Sequence, residues 1–295
     1  MILLEQLSRL GIGTSRAGSL GSRLSTDQFG DIIRLAADNC INLIDTADTY
    51  GSGDSERLIN KCIASNRSSF FVMTKAGIPM VHTPEWLSPL NQIGKKIKIK
   101  AGVKKNYTAN YLLNSIRQSN KRLGVESANA FMLHEPVWNE LVGTNAWEGL
   151  ELIRQAGLAD YTGVSTNDYR VVEEGIRSGQ VQLVQTAVSW HDDSADAIID
   201  LCRAHQIPVV ANQVLRPYKS LVDRFAATAP ERSTMDGLET MSLIQFLIAA
   251  VLTEKKVDAV LFGTSDLAHL KHNIASLDYI KALPRYLPTL NQLLA

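Results

Sequence analysis

The sequence predicts an α/β fold, a (β/α)8 TIM barrel, and three observations predict it. Short apolar runs of strand length alternate with amphipathic stretches, and the alternation repeats eight times along the 295 residues. Most of the runs are apolar without alternation, as strands covered on both faces are. No linker or shift in composition marks a second domain, so residues 1–295 read as one barrel with long loops at 78–107 and 213–240.

Strands are expected at 9–14, 42–46, 70–75, 129–134, 161–165, 182–186, 207–212 and 257–262. The helix after strand one, 26–39, opens on Ser25 and Thr26 as caps. Strand two runs into Asp45-Thr46-Ala47-Asp48-Thr49-Tyr50, and the turn-like Gly51-Ser52-Gly53-Asp54 leads to a helix at 55–64. Strand three ends at Lys75 and strand four at His134, with a helix at 108–123 closed by Gly124. Helices at 145–155 and 168–178 stop at Gly157 and Gly179, both as C-terminal caps. Helices at 194–205, 241–254 and 267–276 complete the series. Of the two long loops, 78–107 carries Lys95, Lys96, Lys98, Lys100, Lys104 and Lys105. It reads as a solvated loop or hairpin, or as a lid with an anion-attracting rim. The 213–240 loop is placed to reach over a ligand, because loops that follow barrel strands lie on the C-terminal face, where sites are built. The rival fold, a doubly wound open sheet, would carry Gly-x-Gly-x-x-Gly after its first strand, and Gly13-Thr14-Ser15-Arg16-Ala17-Gly18 does not fit.

Lysine plus arginine number 30 and aspartate plus glutamate 30, so the formal charge is zero. A basic excess that would draw the chain to nucleic acid or a membrane surface is missing. Hydrophobic residues at 45% and charged residues at 20% exclude general disorder. Cys40, Cys62 and Cys202 are too few and too scattered for a disulfide framework or a metal site, and read as reduced thiols. The apolar run near 243–252 is too short to span a bilayer, and the first residues do not read as a signal peptide. The expectation is a soluble, cytoplasmic protein, monomeric or a small homo-oligomer, with no nucleic-acid, membrane or metal partner.

Chemistry gathers at the strand ends. Asp45 closes strand two with Tyr50 in the loop behind it, Lys75 closes strand three and His134 strand four. In a barrel these four meet on one face. Together they suit carbonyl reduction, in which hydride adds to carbon and a proton reaches oxygen. An ammonium beside Tyr50 favours phenolate and is expected to bring the phenol closer to neutral pH. Asp45 keeps a buried Lys75 charged. A neutral His134 donating to the substrate oxygen orients it and stabilises developing negative charge. In reverse, the Tyr50 phenolate is the general base of an alcohol oxidation.

The same residues resemble the aldo-keto reductases. The resemblance is carried by 10–14 (Leu-Gly-Ile-Gly-Thr), 42–51 (Asn-Leu-Ile-Asp-Thr-Ala-Asp-Thr-Tyr-Gly), Ser55-Glu56, Val72-Met73-Thr74-Lys75, Met132-Leu133-His134 and 163–167. Gln185, Phe262-Gly263-Thr264-Ser265, Leu270 and Asn273 continue it, in order, from about residue 10 to 277. It implies a (β/α)8 barrel, an extended nicotinamide cofactor and a catalytic tetrad on Asp45, Tyr50, Lys75 and His134. Ser165 and Gln185 would hydrogen-bond the carboxamide, with Thr14 and Arg16 near the ribose and pyrophosphate. Asp45, Asn212, Leu215 and Arg216 are further cofactor candidates, and Gly263, Thr264, Ser265, His269 and Asn273 would hold the adenosine end. Family habit favours NADP(H), with NAD(H) as the alternative.

The sequence departs from the family pattern at several positions. Thr166 stands where many members have Asn, and Asn212 aligns with the aromatic ring that stacks on nicotinamide. Trp190 is either the replacement ring or a packed one, and Trp86, Trp138 and Trp190 are the candidate pocket walls. Gly263 and His269 align with the basic residues that clamp a 2′-phosphate, leaving Arg216, Lys219 or Lys271 to supply charge. The expected substrate is a small-molecule carbonyl or alcohol. The alternatives are a cofactor-binding regulatory or redox-sensing subunit with little turnover, and a barrel enzyme using Lys75 as a Schiff base.

Overall fold

In the computed structural model, which describes residues 2–18, 24–79 and 104–294, eight parallel strands close into a barrel in chain order. They are β1 (Leu10–Gly13), β2 (Leu43–Asp45), β3 (Phe71–Ala76), β4 (Ala128–His134), β5 (Ala159–Ser165), β6 (Leu183–Ala187), β7 (Val209–Asn212) and β8 (Ala259–Phe262). β8 pairs back onto β1, with Leu10 opposite Val260. The strands are nearly all buried because one face looks into the barrel and the other onto helices. Leu43, Phe71, Met73, Ala130, Met132, Leu183, Val210, Ala259 and Leu261 fill the interior. The outward residues, among them Ile12, Ile44, Val72, Phe131 and Val164, pack on the surrounding helices.

Those helices are α1 (Thr26–Asp38), α2 (Asp54–Ile63), α3 (Ala109–Leu123), α4 (Trp138–Leu141), α5 (Ala146–Gln155), α6 (Tyr169–Arg177), α7 (Asp196–Ala204), α8 (Tyr218–Ala227), α9 (Ala229–Arg232), α10 (Leu243–Thr253), α11 (Leu267–Ile274) and α12 (Leu283–Leu294). Ser25 accepts from the Gln28 N–H and the Gln28 side chain accepts from the Ser25 N–H, a reciprocal cap that fixes where α1 begins.

The segment expected as a loop at 213–240 folds largely as α8 and α9. Leu221 and Phe225, four apart, face one apolar cluster with Met235, Leu238, Met241 and Phe246. Arg232 fastens the segment. It is buried, donates to Met241 O at 2.7 Å and Thr228 Oγ1 at 3.0 Å, and lies 4.1 Å from the Phe225 ring centre. α12 is a second addition beyond the expected helices. Leu283, Leu287, Leu290 and Leu294 bury one stripe of it in the same cluster. Most of the 78–107 loop, with Trp86, Lys95, Lys96, Lys98 and Lys100, lies outside the described residues. Among the described residues no helix is long and apolar enough to cross a membrane.

Candidate active site

Barrel register brings the chemistry to one rim. Gly13 pairs with Asp45, Asp45 with Met73, Lys75 with Met132, His134 with Ser165, and Ser165 with Gln185. Side chains alternate along a strand, so Lys75 points inward while its neighbour Thr74 faces the helices.

The Lys75 ammonium is buried, donates to the Asp45 carboxylate, and donates to Thr46 O at 2.9 Å. It stands 5.2 Å from the centre of the Tyr50 ring. The His134 ring meets the same ring edge-on at 5.8 Å. Tyr50 reaches this position through a tight turn in which Gly51 (φ 57°), Ser52 (φ 60°) and Gly53 (φ 91°) are all left-handed. A Cβ on Gly51 would come within 2.2 Å of Gly18 O, so a side chain there is excluded by space as well as by dihedral.

Burial opposes charge on all three groups. It pushes the Asp45 carboxyl up against the downward pull of Lys75. It also works against the Lys75 ammonium, which Asp45 and Tyr50 nevertheless hold above the ordinary lysine value. Tyr50 departs from the sequence expectation. Burial raises the phenol by more than Lys75 lowers it, and Asp45 and Glu135 add to the rise. The resident form of Tyr50 at neutral pH is therefore the phenol.

A second set of groups continues the rim. Ser165 Oγ donates to Gln185 Oε1 at 2.6 Å, and Gln185 Nε2 donates to Asp45 Oδ1 at 3.1 Å. Ser165, Gln185 and Asn212 line a cleft of about 630 Å³ with Lys105, Glu135, Pro136, Asp168 and Gln213 among its other walls. The Asn212 side-chain oxygen is buried there with no hydrogen-bond partner among the described residues. It is an acceptor that suits an incoming N–H or hydroxyl. Thr166 turns aside, its hydroxyl donating to Pro136 O at 2.6 Å, and Asn167 is spent on Thr186 and the Ala187 N–H.

The remaining cofactor candidates extend this arc. Gly263 lies beside Gly13, its Cβ position 3.4 Å from Gly13 O, so the ends of β8 and β1 are continuous. Thr14 is buried, its hydroxyl donating to Asp45 O at 2.9 Å and accepting from Ser55 Oγ at 2.6 Å, while Arg16 is exposed in the following turn. Asp266 caps α11 by accepting from the His269 N–H, with Thr264, Ser265 and His269 around it and Asn273 buried on the inner side. Leu215 is half-buried, and Arg216 is engaged with Asp192 at 3.3 Å and Gln213 at 2.7 Å. Candidates from β2 to β4 thus form one cluster, and those from β5 through β8 to β1 form an arc leading away from it.

The tryptophans divide differently. Trp190 is buried against Phe246, 5.0 Å between ring centres, in the cluster under α8 and α10. Trp138 is half-buried at the start of α4 and packs on the main core. Neither lines the cleft, and Trp86 lies outside the described residues. Cys202 is buried with its thiol pushed up to about 12 by desolvation, and Cys40 is exposed.

Sequence reasoning gave Glu56 and Thr74 only as motif letters and missed Arg122. Arg122 Nε donates to Glu56 Oε2 at 2.5 Å, and Thr74 Oγ1 donates to Glu56 Oε1 at 2.6 Å, all buried. The signal was a charged pair separated by 66 residues, which periodicity cannot register. Glu135, with φ 53° directly after His134, was missed as well; it sits on the cleft wall.

Residues 9–284 match the model of the aldo/keto reductase family. The chain is 25% identical over 213 residues to D-threo-aldose 1-dehydrogenase of a Pseudomonas species, covering 70% of this chain and 65% of that protein. It is 26% identical over 217 residues to NADH-specific methylglyoxal reductase of Escherichia coli, covering 69% and 62%. The matched regions span less than two thirds of each of these relatives. Among solved structures, an aldo-keto reductase of Bacillus halodurans in its holo form superposes with a TM-score of 0.71 at 19% identity, over 92% of this chain and 87% of that one.

Proposed function

The chain belongs to the aldo/keto reductase family, and from that premise we propose that it interconverts a small polar carbonyl and its alcohol, using a nicotinamide dinucleotide and Tyr50 as the proton carrier. The observation that carries this reading is the buried Lys75, fixed by Asp45 and standing 5.2 Å from the Tyr50 ring, with the His134 ring meeting the same ring edge-on at 5.8 Å.

The residues fit the dinucleotide. Ser165, Gln185 and the unpartnered Asn212 oxygen offer a donor and acceptor set for a carboxamide. The capped start of α11 beside Gly263 suits an anionic end. When bound, the nicotinamide supplies or accepts the hydride. Everything else falls to the chain. His134 donates to the carbonyl oxygen and orients it. Tyr50 gives its proton to that oxygen as negative charge develops there. Lys75 stabilises the phenolate left behind, and Asp45 keeps Lys75 charged and still. Gln185 ties Asp45 to the carboxamide side of the site.

For the dinucleotide, family habit favours NADP(H), and NAD(H) is the alternative. Gly263 offers no side chain and Arg216 is already engaged, so discrimination rests on His269, Lys219 and Lys271. NADPH is expected to bind more tightly than NADH by less than about tenfold, or 1.4 kcal/mol. The polar cleft walls Lys105, Glu135, Asp168 and Gln213 support hydrophilic carbonyls and sugars.

The test is loss of absorbance at 340 nm with NADPH or NADH and a panel of methylglyoxal, 4-nitrobenzaldehyde and aldoses. Tyr50→Phe is expected to lower kcat at least about 100-fold while leaving dinucleotide binding within about twofold. Equal turnover by wild type and Tyr50→Phe would remove Tyr50 from the mechanism. Tight dinucleotide binding with no turnover on the whole panel would favour a sensing role instead.

A further inference from the structure

Beneath the site lies a buried charged pair whose hydrogen bonds, among the described residues, go to Thr74 and Ser119. Glu56 is on the first turn of α2 and Arg122 at the end of α3, with side-chain exposures of 0% and 6%. Arg122 Nε donates to Glu56 Oε2 at 2.5 Å and Nη2 donates to Ser119 Oγ at 3.1 Å. The second Glu56 oxygen accepts from Thr74 Oγ1 at 2.6 Å. Two connections then lead to the chemistry. Thr74 is the residue before Lys75 in β3, so its side chain anchors the outer face of the strand whose inner face presents the ammonium. At the other end, the Arg122 stem packs directly under the Tyr50 turn. A Cβ on Gly53 would fall 2.7 Å from Arg122 Cδ and Nε.

We infer that the Glu56–Arg122 pair is a positioning device that sets the placement of Tyr50 relative to Lys75. One carboxylate holds the backbone beneath Lys75 through Thr74 and, through Arg122, the floor of the turn that carries Tyr50. Lys75 interacts with the Tyr50 hydroxyl and stands 5.2 Å from its ring centre, and the geometry of that pairing depends on how firmly β3 and the Tyr50 turn are held. The turn is built of two glycines and a serine, and it packs against Gly18 at Gly51 and against the Arg122 stem at Gly53. A buried carboxylate that accepts from a guanidinium and a hydroxyl has little freedom to shift. Proton transfer is sensitive to such placement, since a displacement of about 1 Å can cost on the order of 100-fold in rate.

The inference rests on Tyr50 and Lys75 acting as proposed above, and its test keeps the two apart. The charged and titratable groups around Tyr50 are Lys75 from β3, Asp45 from β2, and His134 and Glu135 from the end of β4, with His134 meeting the ring edge-on. Titration of Tyr50 is followed by ultraviolet absorbance near 295 nm as the difference between each protein and its Tyr50→Phe partner, which needs no turnover. The variants are Thr74→Val, which keeps shape and removes one hydroxyl, and Glu56→Gln and Arg122→Met, all in the full chain.

With NADPH and methylglyoxal, Glu56→Gln and Arg122→Met are expected to lower kcat about 10- to 100-fold with KM and NADPH affinity within about twofold. Thr74→Val is expected to lower kcat about 3- to 10-fold. In all three the Tyr50 titration moves upward, because Lys75 no longer holds its place. Folded variants with wild-type kcat and an unmoved Tyr50 titration would overturn the inference and leave the pair a packing element only. Should Glu56→Gln and Arg122→Met fail to fold, Thr74→Val decides by the same two measurements. Should the wild type itself turn over no carbonyl, the proposed function fails, and the Tyr50 titration alone judges the positioning role.

Discussion

In the proposed mechanism Tyr50 sets the pH response. Its phenol sits in a buried setting where desolvation outweighs the favourable ammonium of Lys75, so its pKa is raised above the ordinary tyrosine value near 10. That does not disable it as a donor. The oxygen receiving the proton becomes an alkoxide, a much stronger base than phenolate, so transfer from a phenol of raised pKa still runs downhill. The sign of the pH dependence follows. Reduction needs the protonated phenol, which is present below the raised pKa and lost as pH climbs through it. Oxidation needs the phenolate, which accumulates only at high pH. Reductive kcat is therefore expected to stay flat from about pH 6 to above pH 9, and oxidative kcat to rise across the same range. Steady-state profiles in both directions check this. A reductive alkaline limb centred below about pH 8 would mean that Lys75 outweighs burial. At this scale the sequence was informative because barrel register turns strand ends into neighbours: Asp45 and His134 each end a strand, Lys75 lies one residue before the end of its own, and Tyr50 follows β2 in the adjoining loop. It gave the direction of the Tyr50 shift wrongly because burial depends on all surrounding atoms, whereas the Lys75–Tyr50 pairing is written in two residues.

α8 and α12, which sequence periodicity missed, share a physical cause. α8 was hidden inside a segment rich in polar residues, yet Leu221 and Phe225 stand one turn apart and both are buried. α12 carries Pro284 and Pro288, residues that do not signal a helix interior. Pro284 lies in the first turn, where a missing N–H costs nothing, and Leu283, Leu287, Leu290 and Leu294 still form a continuous stripe. Both helices pack into a satellite core beside the barrel, so nothing in the eightfold alternation called for them. Strand and helix ends elsewhere, by contrast, fell within about two residues, because caps such as Ser25 and Gly124 are local signals. Arg232 is the bolt of the satellite. It gives three donors to Thr228, Met241 and Phe225 oxygens and lies over the Phe225 ring, with no carboxylate among these partners. Removing it leaves the Met241 carbonyl buried without its donor. Arg232→Met is expected to destabilise the fold by about 1–3 kcal/mol, seen as a lower urea midpoint at unchanged slope. Arg232→Lys is expected to rescue little, because a single ammonium cannot match the planar fork. A variant with the wild-type midpoint would mean that the apolar contacts of Phe225 and Met241 carry the segment alone.

Across the whole barrel, the site divides into a proton-handling cluster on β2 to β4 and an arc on β5 through β8 to β1, joined by the Gln185–Asp45 bond. A dinucleotide laid along the arc would tie together strand ends that are joined otherwise only through the sheet and its helices. Binding to the folded state alone stabilises it by RT ln(1 + [L]/Kd), about 2.7 kcal/mol at 100 times Kd. Unfolding entropy of about 2.1 cal/mol/K per residue, over 295 residues, makes that a rise in Tm of about 4 °C. The division of the rim predicts how variants share this rise. Tyr50→Phe leaves the arc intact and is expected to keep the full shift with NADPH. Gln185→Ala removes the proposed carboxamide partner and the observed Asp45 support together, and is expected to lose most of the shift along with turnover. Thermal unfolding with NADPH and NADH, each at matched multiples of its measured Kd, tests both variants, and Kd itself reports the preference. A Tyr50→Phe protein that loses the shift would place the ligand over the β2–β4 cluster instead of along the arc, and would merge the two halves of the site into one.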